Sequence, residues 1–246
     1  TPTRKARLFL WFDKMNDSLA AYYDALVKDE EATAAWLDYT RRYLEPCSLL
    51  ELACGSGEIS IALAEAGYTV DATDLSPAMI QAAQEKPHPD AVTFRVMDML
   101  DMQTALSVEG IVCYCDSLNY LTSLDQVGQF MDQAAELLEP HGVLLFDMHT
   151  PQRLEEFTEE YIEEGVLEDT PYQWTILSDE DRIYQHFAFW TSEGLKEEHH
   201  VQTVFDPLAV LQRMEAAGFE VEIMTDFTQL GIQPGEKLFY AGRKKA

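Results

Sequence analysis

The sequence has 246 residues, of which 47% are hydrophobic and 25% are charged. A chain of this length and composition can bury a full core as one large α/β domain or as one domain with an insertion, which argues against a disordered chain. With 17 Lys and Arg against 44 Asp and Glu, its formal net charge of -27 disfavours nucleic acid as a partner, because phosphates would be repelled.

Membrane segments and metal sites are also disfavoured. No apolar stretch approaches the ~18 residues of a membrane span, and the apolar run at residues 8–12 is shorter than a signal-peptide core, which predicts a cytoplasmic protein with no membrane partner. The four cysteines form no CxxC pair and are interpreted as buried thiols. His199 and His200 are adjacent and would face opposite sides of a strand, so no metal site is predicted.

The chain opens with helical patterns and continues with alternating strands and helices. Residues 1–45 contain NDSLAAYYDALV and EEATAAWLDYTRRYL, which predict a helical cap near the ligand edge of a sheet. From residue 48 onward, strands are predicted at SLLEL, YTVDATD, AVTFRVMD, GIVCYCD and VLLFDMH. These strands are apolar on both faces and separated by helices, which indicates a parallel sheet.

Local signals mark the ends of several elements. Ser76 and Pro77 suit the N-cap and first position of one helix, and an apolar period of 3.6 residues predicts another over 124–138, stopped by EPHG. A last helix is predicted over 206–218. FEVEIMTDF and KLFYAGRK then close the chain as two strands with only a loop between them, which suggests an antiparallel edge.

An insertion interrupts this alternation at residues 151–206. YQWTIL, RIYQHFAFWT and HHVQTVF are rich in aromatic and β-branched residues and predict a small antiparallel sheet. We expect this sheet to form a lid that presents Tyr184, His186 and Trp190 to an acceptor; a purely structural or dimerising sheet is the alternative. The predicted fold is α/β, with a doubly wound, mostly parallel seven-stranded sheet and an antiparallel edge strand built from 46–150 and 207–246.

The loop after the first strand, ELACGSGE, is the predicted ligand site, because ligands lie at the carboxyl ends of parallel strands. Gly55 and Gly57 would let a ligand approach the backbone, although Gly57 could instead serve tight helix–strand packing. Ser60 interrupts the dinucleotide fingerprint and weakens an NAD interpretation. Asp74 ends the second strand, where it could accept hydrogen bonds from a ribose, which NAD and S-adenosylmethionine both contain, or could only support the next N-cap.

Four motifs, taken together, resemble those of a known family. ELACGSG, DATDLSPAMI, VMDMLDM and CYCDSLNYL follow in the order and spacing of the class I S-adenosylmethionine-dependent methyltransferases, especially small bacterial members with CDSLNYL and FDMH. The resemblance is strongest over residues 45–150. It implies a Rossmann-like fold, S-adenosylmethionine as cofactor and methyl transfer as the reaction.

Carried over by position, the resemblance implies a set of cofactor-binding residues. They are Glu51, Ala53, Cys54, Gly55 and Gly57 at the methionine part, Asp74 and Leu75 at the ribose and adenine, Asp98 and Met99 at the adenine, Cys115 and Asp116 near the amino group, and Tyr23 closing over the cofactor. Acidic residues suit the sulfonium and ammonium of this cofactor and would suit a pyrophosphate badly.

The acceptor side is less defined by the sequence. Asp116, Asn119, Tyr120 and His149 are candidates to face the acceptor, and the sequence does not choose a general base among them. The leading hypothesis is methylation of a small molecule. The alternatives are an RNA or protein methyltransferase, a cofactor-binding module without turnover and, last, an NAD oxidoreductase. A homodimer remains open.

Overall fold

The computed structural model describes residues 22, 26, 29–102, 107–167 and 169–245. Within them the helices are α1 (Glu30–Tyr43), α2 (Glu58–Glu65), α3 (Pro77–Glu85), a 3-10 helix (Ser117–Tyr120), α4 (Leu124–Leu137), α5 (Gln152–Glu156) and α6 (Pro207–Ala216). The strands are β1 (Ser48–Leu52), β2 (Thr69–Asp74), β3 (Val92–Val96), β4 (Val108–Cys113), β5 (Leu138–His149), β6 (Tyr161–Leu167), β7 (Thr170–Asp179), β8 (Arg182–Thr191), β9 (Gly194–Thr203), β10 (Phe219–Thr225), β11 (Gln229–Leu230) and β12 (Lys237–Lys244).

The main sheet has the order β11-β10-β12-β5-β4-β1-β2-β3. Its five strands from β5 to β3 are parallel, and β12 runs antiparallel between β5 and β10. The predicted fold class is confirmed. The antiparallel strand arises because only a loop separates β10 from β12, which leaves no room for a crossover helix. The two-residue strand β11 adds an eighth, edge strand to the seven that were predicted.

Helices cover both faces of this sheet. One buried cluster includes Phe130 of α4 and Met214 of α6, and the other includes Trp36 of α1, Leu63 of α2 and Ile80 of α3. Strands between two such layers must be apolar on both faces, which explains the unbroken apolar runs in the sequence. The doubly wound arrangement places every β-to-α loop of the parallel strands at one edge.

Capping signals in the sequence act as predicted, whereas the EPHG segment does not simply end a helix. The Ser76 side chain accepts a hydrogen bond from the Met79 backbone, with Pro77 at the first helical position. EPHG follows α4 directly but lies inside β5, where the pairing with β4 jumps from Val108–Leu138 to Gly110–Val143. His141 adopts a φ of 67° there, so the segment is an irregularity within the strand.

The insertion forms a second sheet with the order β6-β7-β8-β9, one strand more than predicted. Its inward face differs from our expectation. Gln185 of β8 bonds Gln202 of β9, whose side chain reaches Asp116 at the end of β4, so the face with Gln185 and Phe187 meets the main domain. Tyr184, His186 and Trp190 lie at the alternate positions of β8 and therefore on the opposite face of the sheet. Because side chains alternate along a strand, choosing the wrong set of alternate residues assigned the inward face to the wrong side.

Part of the predicted N-terminal cap lies within the described residues. Helix α1 lays Trp36 on Tyr114, with ring centroids 4.8 Å apart, and Tyr39 packs edge-on to Phe239 at 5.3 Å. The Tyr22 ring lies 5.3 Å from Phe189 of β8. The domain boundaries remain a prediction.

Among the helices the structure describes, none has the length and apolarity needed to cross a membrane. The predicted cytoplasmic location stays a prediction.

Candidate functional site

Asp74 ties the glycine loop to the end of β2. One of its carboxylate oxygens accepts a hydrogen bond from the Gly55 amide at 2.9 Å, and the other accepts one from the Ser76 amide at 2.8 Å. Burial raises the pKa of Asp74, and these backbone donors oppose the rise. One carboxylate oxygen of Asp74 therefore supports the start of α3, as the alternative interpretation predicted. The other oxygen holds the glycine loop.

Glu51 is a buried acid beneath the same loop. Its side chain is 2% exposed, and its Oε2 has no hydrogen-bond partner among the residues that the structure describes. Burial raises the pKa of Glu51 to about 7, while the nearby Ser60 hydroxyl opposes the rise and the Asp74 carboxylate adds to it. A buried carboxylate oxygen without a donor is costly to a folded protein, so Glu51 is suited to receive a donor or a cation from outside the chain.

The two glycines of the loop have different functions in the structure. A Cβ added at Gly55 would meet no atom of the described residues within 4 Å, so their packing does not require a glycine here. A Cβ added at Gly57 would lie 2.7 Å from the Phe94 ring and 3.1 Å from Ala83. The packing interpretation of Gly57 is therefore favoured: its missing side chain lets the start of α2 approach β3 and α3.

This difference predicts that the two glycines respond differently to alanine. Gly57→Ala should lower the free energy of unfolding by about 2 kcal/mol, because overpacking adds to the strain of a left-handed backbone. Gly55→Ala is the matched control, since its φ of 54° gives the strain without the clash. Urea unfolding of both variants measures the difference. Equal stability losses would contradict the packing function of Gly57.

A cluster of charged side chains lies beyond β4, in which Asp147 is buried and Asp116 and Lys237 are half-buried. Lys237 at the start of β12 contacts the carboxylates of both Asp116 and Asp147, with Nζ 3.1 Å from Asp147 Oδ2. Although burial opposes ionisation of Asp116, Lys237 and then His149 bring the pKa of this carboxyl well below its usual range. Burial raises the pKa of Asp147 to about 6, against the attraction of Lys237. The Asp147 side chain is fully buried, and within the described part of the chain its Oδ1 has no hydrogen-bond partner.

The inserted sheet is joined to this cluster through Gln202. Its amide nitrogen donates to Asp116 Oδ2 at 2.8 Å, and its Oε1 lies 3.1 Å from His149 Nε2. His149 Nε2 is also 3.3 Å from Asp116 Oδ2. Asn119 donates to the Thr203 carbonyl and accepts from the His149 amide. The inserted sheet therefore contributes hydrogen-bonding groups directly to the surroundings of Asp116.

The other predicted residues occupy the same edge of the sheet with different exposures. Leu75 is exposed beyond β2, Asp98 is exposed and Met99 half-buried beyond β3, and Ala53, Cys54 and Cys115 follow β1 and β4. Ala53, Cys115 and Asp116 all have positive φ, which aims these turns sharply out of their strands. Tyr23 lies outside the described residues. The functions of all these residues stay predictions.

Sequence reasoning did not select Lys237, Asp147 or Gln202. Asp147 and Lys237 belong to the segments FDMH and KLFYAGRK, but no local pattern in either segment indicates that the two residues meet. A cross-strand pairing was also not predicted from the sequence. The rings of His186 and His199 stack with centroids 4.4 Å apart, and one ring nitrogen of each and a carboxylate oxygen of Glu197 lie within 4.8 Å of one another. These three residues lie on the face of the inserted sheet opposite to Gln202.

Comparisons with known proteins assign the chain a set of relatives. Residues 49–142 match the family described as a methyltransferase domain. The chain is 30% identical to a candidate methyltransferase of Geobacillus sp. strain WCH70, over 93% of this chain and 99% of that protein. It is 31% identical to the candidate methyltransferase YqeM of Bacillus subtilis strain 168, over 89% and 95%.

A third relative and two solved structures extend the comparison. The dTDP-3-amino-3,6-dideoxy-alpha-D-glucopyranose N,N-dimethyltransferase of Streptomyces fradiae is 28% identical over 80% of each chain. An S-adenosylmethionine-dependent methyltransferase of Clostridium acetobutylicum superposes with a TM-score of 0.77 at 18% identity, over 94% of this chain and 99% of that one. The sugar N-methyltransferase KedS8 of Streptoalloteichus gives 0.77 at 24% identity, over 96% of each.

Proposed function

The chain belongs to the family of S-adenosylmethionine-dependent methyltransferases, and we propose that it methylates a small-molecule acceptor. Its cofactor is S-adenosylmethionine, which when bound supplies an activated methyl group: the acceptor lone pair forms the new bond to carbon, and the carbon–sulfur electron pair goes to sulfur. The observation that carries the proposal is the buried Glu51 at the end of β1, whose Oε2 has no partner among the described residues, next to a loop in which those residues leave the Cβ position of Gly55 uncontacted.

The residues of the glycine loop fit this cofactor. We propose that Glu51 meets its cationic methionine part and that the bare backbone of Gly55 lets it lie against the loop. Asp74 would accept hydrogen bonds from the ribose with lone pairs that the Gly55 and Ser76 amides leave available. Leu75 and Met99 would then line the adenine, with Asp98 at its amino edge.

Charge and relatives support a small acceptor. A net charge of -27 opposes a phosphate backbone, and the Streptomyces fradiae relative is named for methylating an amino sugar nucleotide. We therefore propose an amine-bearing small molecule, with dTDP-3-amino-3,6-dideoxyglucose as the first probe. The remaining candidates for the acceptor side are Asn119, Tyr120 and His149 beside Asp116.

The function is tested by product formation. Purified protein is incubated with S-adenosylmethionine and a panel of amines that includes the amino sugar nucleotide, and S-adenosylhomocysteine is quantified. Acceptor-dependent formation supports the proposal. Cofactor binding by calorimetry without turnover of any acceptor would favour a binding module, and binding of NAD in place of S-adenosylmethionine would contradict the cofactor assignment.

Asp74→Ala tests the proposed ribose contact. We expect cofactor affinity to fall by roughly 1 to 3 kcal/mol, the range for hydrogen bonds to a charged group. The matched control is Asp71→Asn on the same strand, because Asp71 pairs with Arg95 at 2.7 Å at a half-exposed position. Calorimetric titration of S-adenosylhomocysteine compares the two. An unchanged affinity in folded Asp74→Ala would remove this contact.

A further inference from the structure

Tyr120, His200 and Glu198 form a chain of hydrogen bonds between the 3-10 helix and β9. The Tyr120 hydroxyl lies 2.5 Å from His200 Nδ1, and His200 Nε2 lies 2.9 Å from Glu198 Oε1. His200 is 8% exposed and Glu198 6% exposed, whereas Tyr120 is 38% exposed. These hydrogen bonds therefore run from a partly exposed tyrosine to a buried acid.

The direction of these bonds follows from the chemistry of the groups. An ionised Glu198 only accepts hydrogen bonds, so His200 Nε2 must carry the proton that it donates. In a neutral imidazole the other nitrogen then carries a lone pair and no proton. In this protonation state His200 Nδ1 accepts the hydrogen bond and the Tyr120 hydroxyl donates it.

Surrounding contacts hold these three hydrogen-bonded residues beside the site around Asp116. Asn119, which precedes Tyr120, donates to the Thr203 carbonyl at 2.7 Å and accepts from the His149 amide at 3.0 Å. The Phe187 ring packs edge-on to His200 at 5.4 Å. The 3-10 helix that carries Tyr120 begins directly after Asp116. Both sheets thus position the Tyr120 hydroxyl at the edge where an acceptor would enter.

We propose that these three residues form a proton relay for the acceptor, an inference that rests on the proposed function. The acceptor heteroatom gives its proton to the Tyr120 oxygen, while the Tyr120 proton passes to His200 Nδ1. The positive charge lost by the methylated acceptor then resides on the His200 imidazolium, opposite the Glu198 carboxylate. Tyr120 meets the acceptor, and His200 and Glu198 act through it as positioning residues.

Nuclear magnetic resonance tests the relay without turnover. Long-range ¹H–¹⁵N spectra of the histidine side chains, with His200 assigned by its loss in His200→Gln, should show a neutral ring protonated on Nε2. Tyr120→Phe should shift the Nδ1 resonance of His200. A proton on Nδ1 in the resting protein, a charged ring, or no shift in Tyr120→Phe would overturn the relay.

Turnover of the amino sugar nucleotide gives the second readout. His200→Gln should lower kcat by about 100-fold, within the range for proton transfer by a side chain, with little change in cofactor affinity. Glu198→Gln keeps the shape but removes the charge and should also lower kcat, whereas Glu198→Asp should restore part of it. His199→Gln, of opposite parity on β9, is the matched control and should behave as wild type.

The outcomes separate the two proposals. Active wild type with equally active Glu198→Gln and His200→Gln would overturn the relay and leave the methyltransferase function intact. Wild type that turns over no acceptor of the panel would contradict the proposed function, and the resonance spectra would still decide whether the relay exists.

Discussion

Lys237→Met is expected to destabilise the protein by about 3 kcal/mol, the cost of leaving the fully buried Asp147 carboxylate without its cationic partner. The Lys237 ammonium contacts both Asp116 and Asp147, and the Asp147 side chain is fully buried. Without the ammonium these neighbouring carboxylates would repel one another in a site that water reaches poorly. Methionine preserves the apolar length of the side chain, so the loss reports mainly on charge.

Guanidinium unfolding measures this effect. Lys86→Met is the matched control, because Lys86 pairs with Glu58 at 2.8 Å and has a similar exposure to Lys237, but Glu58 is partly exposed. Such a pair contributes about 1 kcal/mol or less. Adding Asp147→Asn to Lys237→Met should recover part of the stability. A loss in Lys237→Met no larger than in the control would show that the cluster is not held by this ammonium.

The sequence predicts the sheet well because its signals are local. Each signal occupies a few consecutive residues and predicts its element without knowledge of the rest of the fold. The signals are the apolar runs of strands buried on both faces, the Ser76–Pro77 start of α3 and the glycine loop. The loop prediction also located Glu51 and Asp74 correctly at neighbouring strand ends, since β1 and β2 pair in parallel.

The charge cluster could not be predicted in the same way. Lys237 meets Asp147 only because β12 docks antiparallel beside β5, which puts Lys237 opposite His149 in the register. No spacing in the sequence encodes that docking. Likewise, the sequence of the aromatic strand β8 alternates with a period of two residues, but it does not indicate which of the two alternating sets faces the main domain. The inward phase is fixed by contacts such as Gln185 to Gln202, between different strands.

Glu51→Gln is expected to separate stability from cofactor binding. The folded-state pKa of Glu51 is raised to about 7 from an ordinary value of 4.5, so the folded protein binds more protons than the unfolded chain between these values. Stability must therefore fall as pH rises through this window, by about 3 kcal/mol in total. Because glutamine cannot ionise, the variant should be more stable than wild type near pH 8, and the difference should shrink to about 1 kcal/mol or less at about pH 5 and vanish below pH 4.5.

The same substitution should weaken S-adenosylmethionine binding, by roughly 1 to 3 kcal/mol, because the ligand loses a charged partner. Urea unfolding at about pH 5 and pH 8 and calorimetry at about pH 8 measure the two effects, with the exposed Glu85→Gln as control. A variant that binds the cofactor normally would exclude Glu51 from the site. A gain in stability with a loss in affinity would explain why Oε2 lacks a partner among the described residues. An ionised Glu51 would then destabilise the protein without its ligand, and the bound cation would offset this cost.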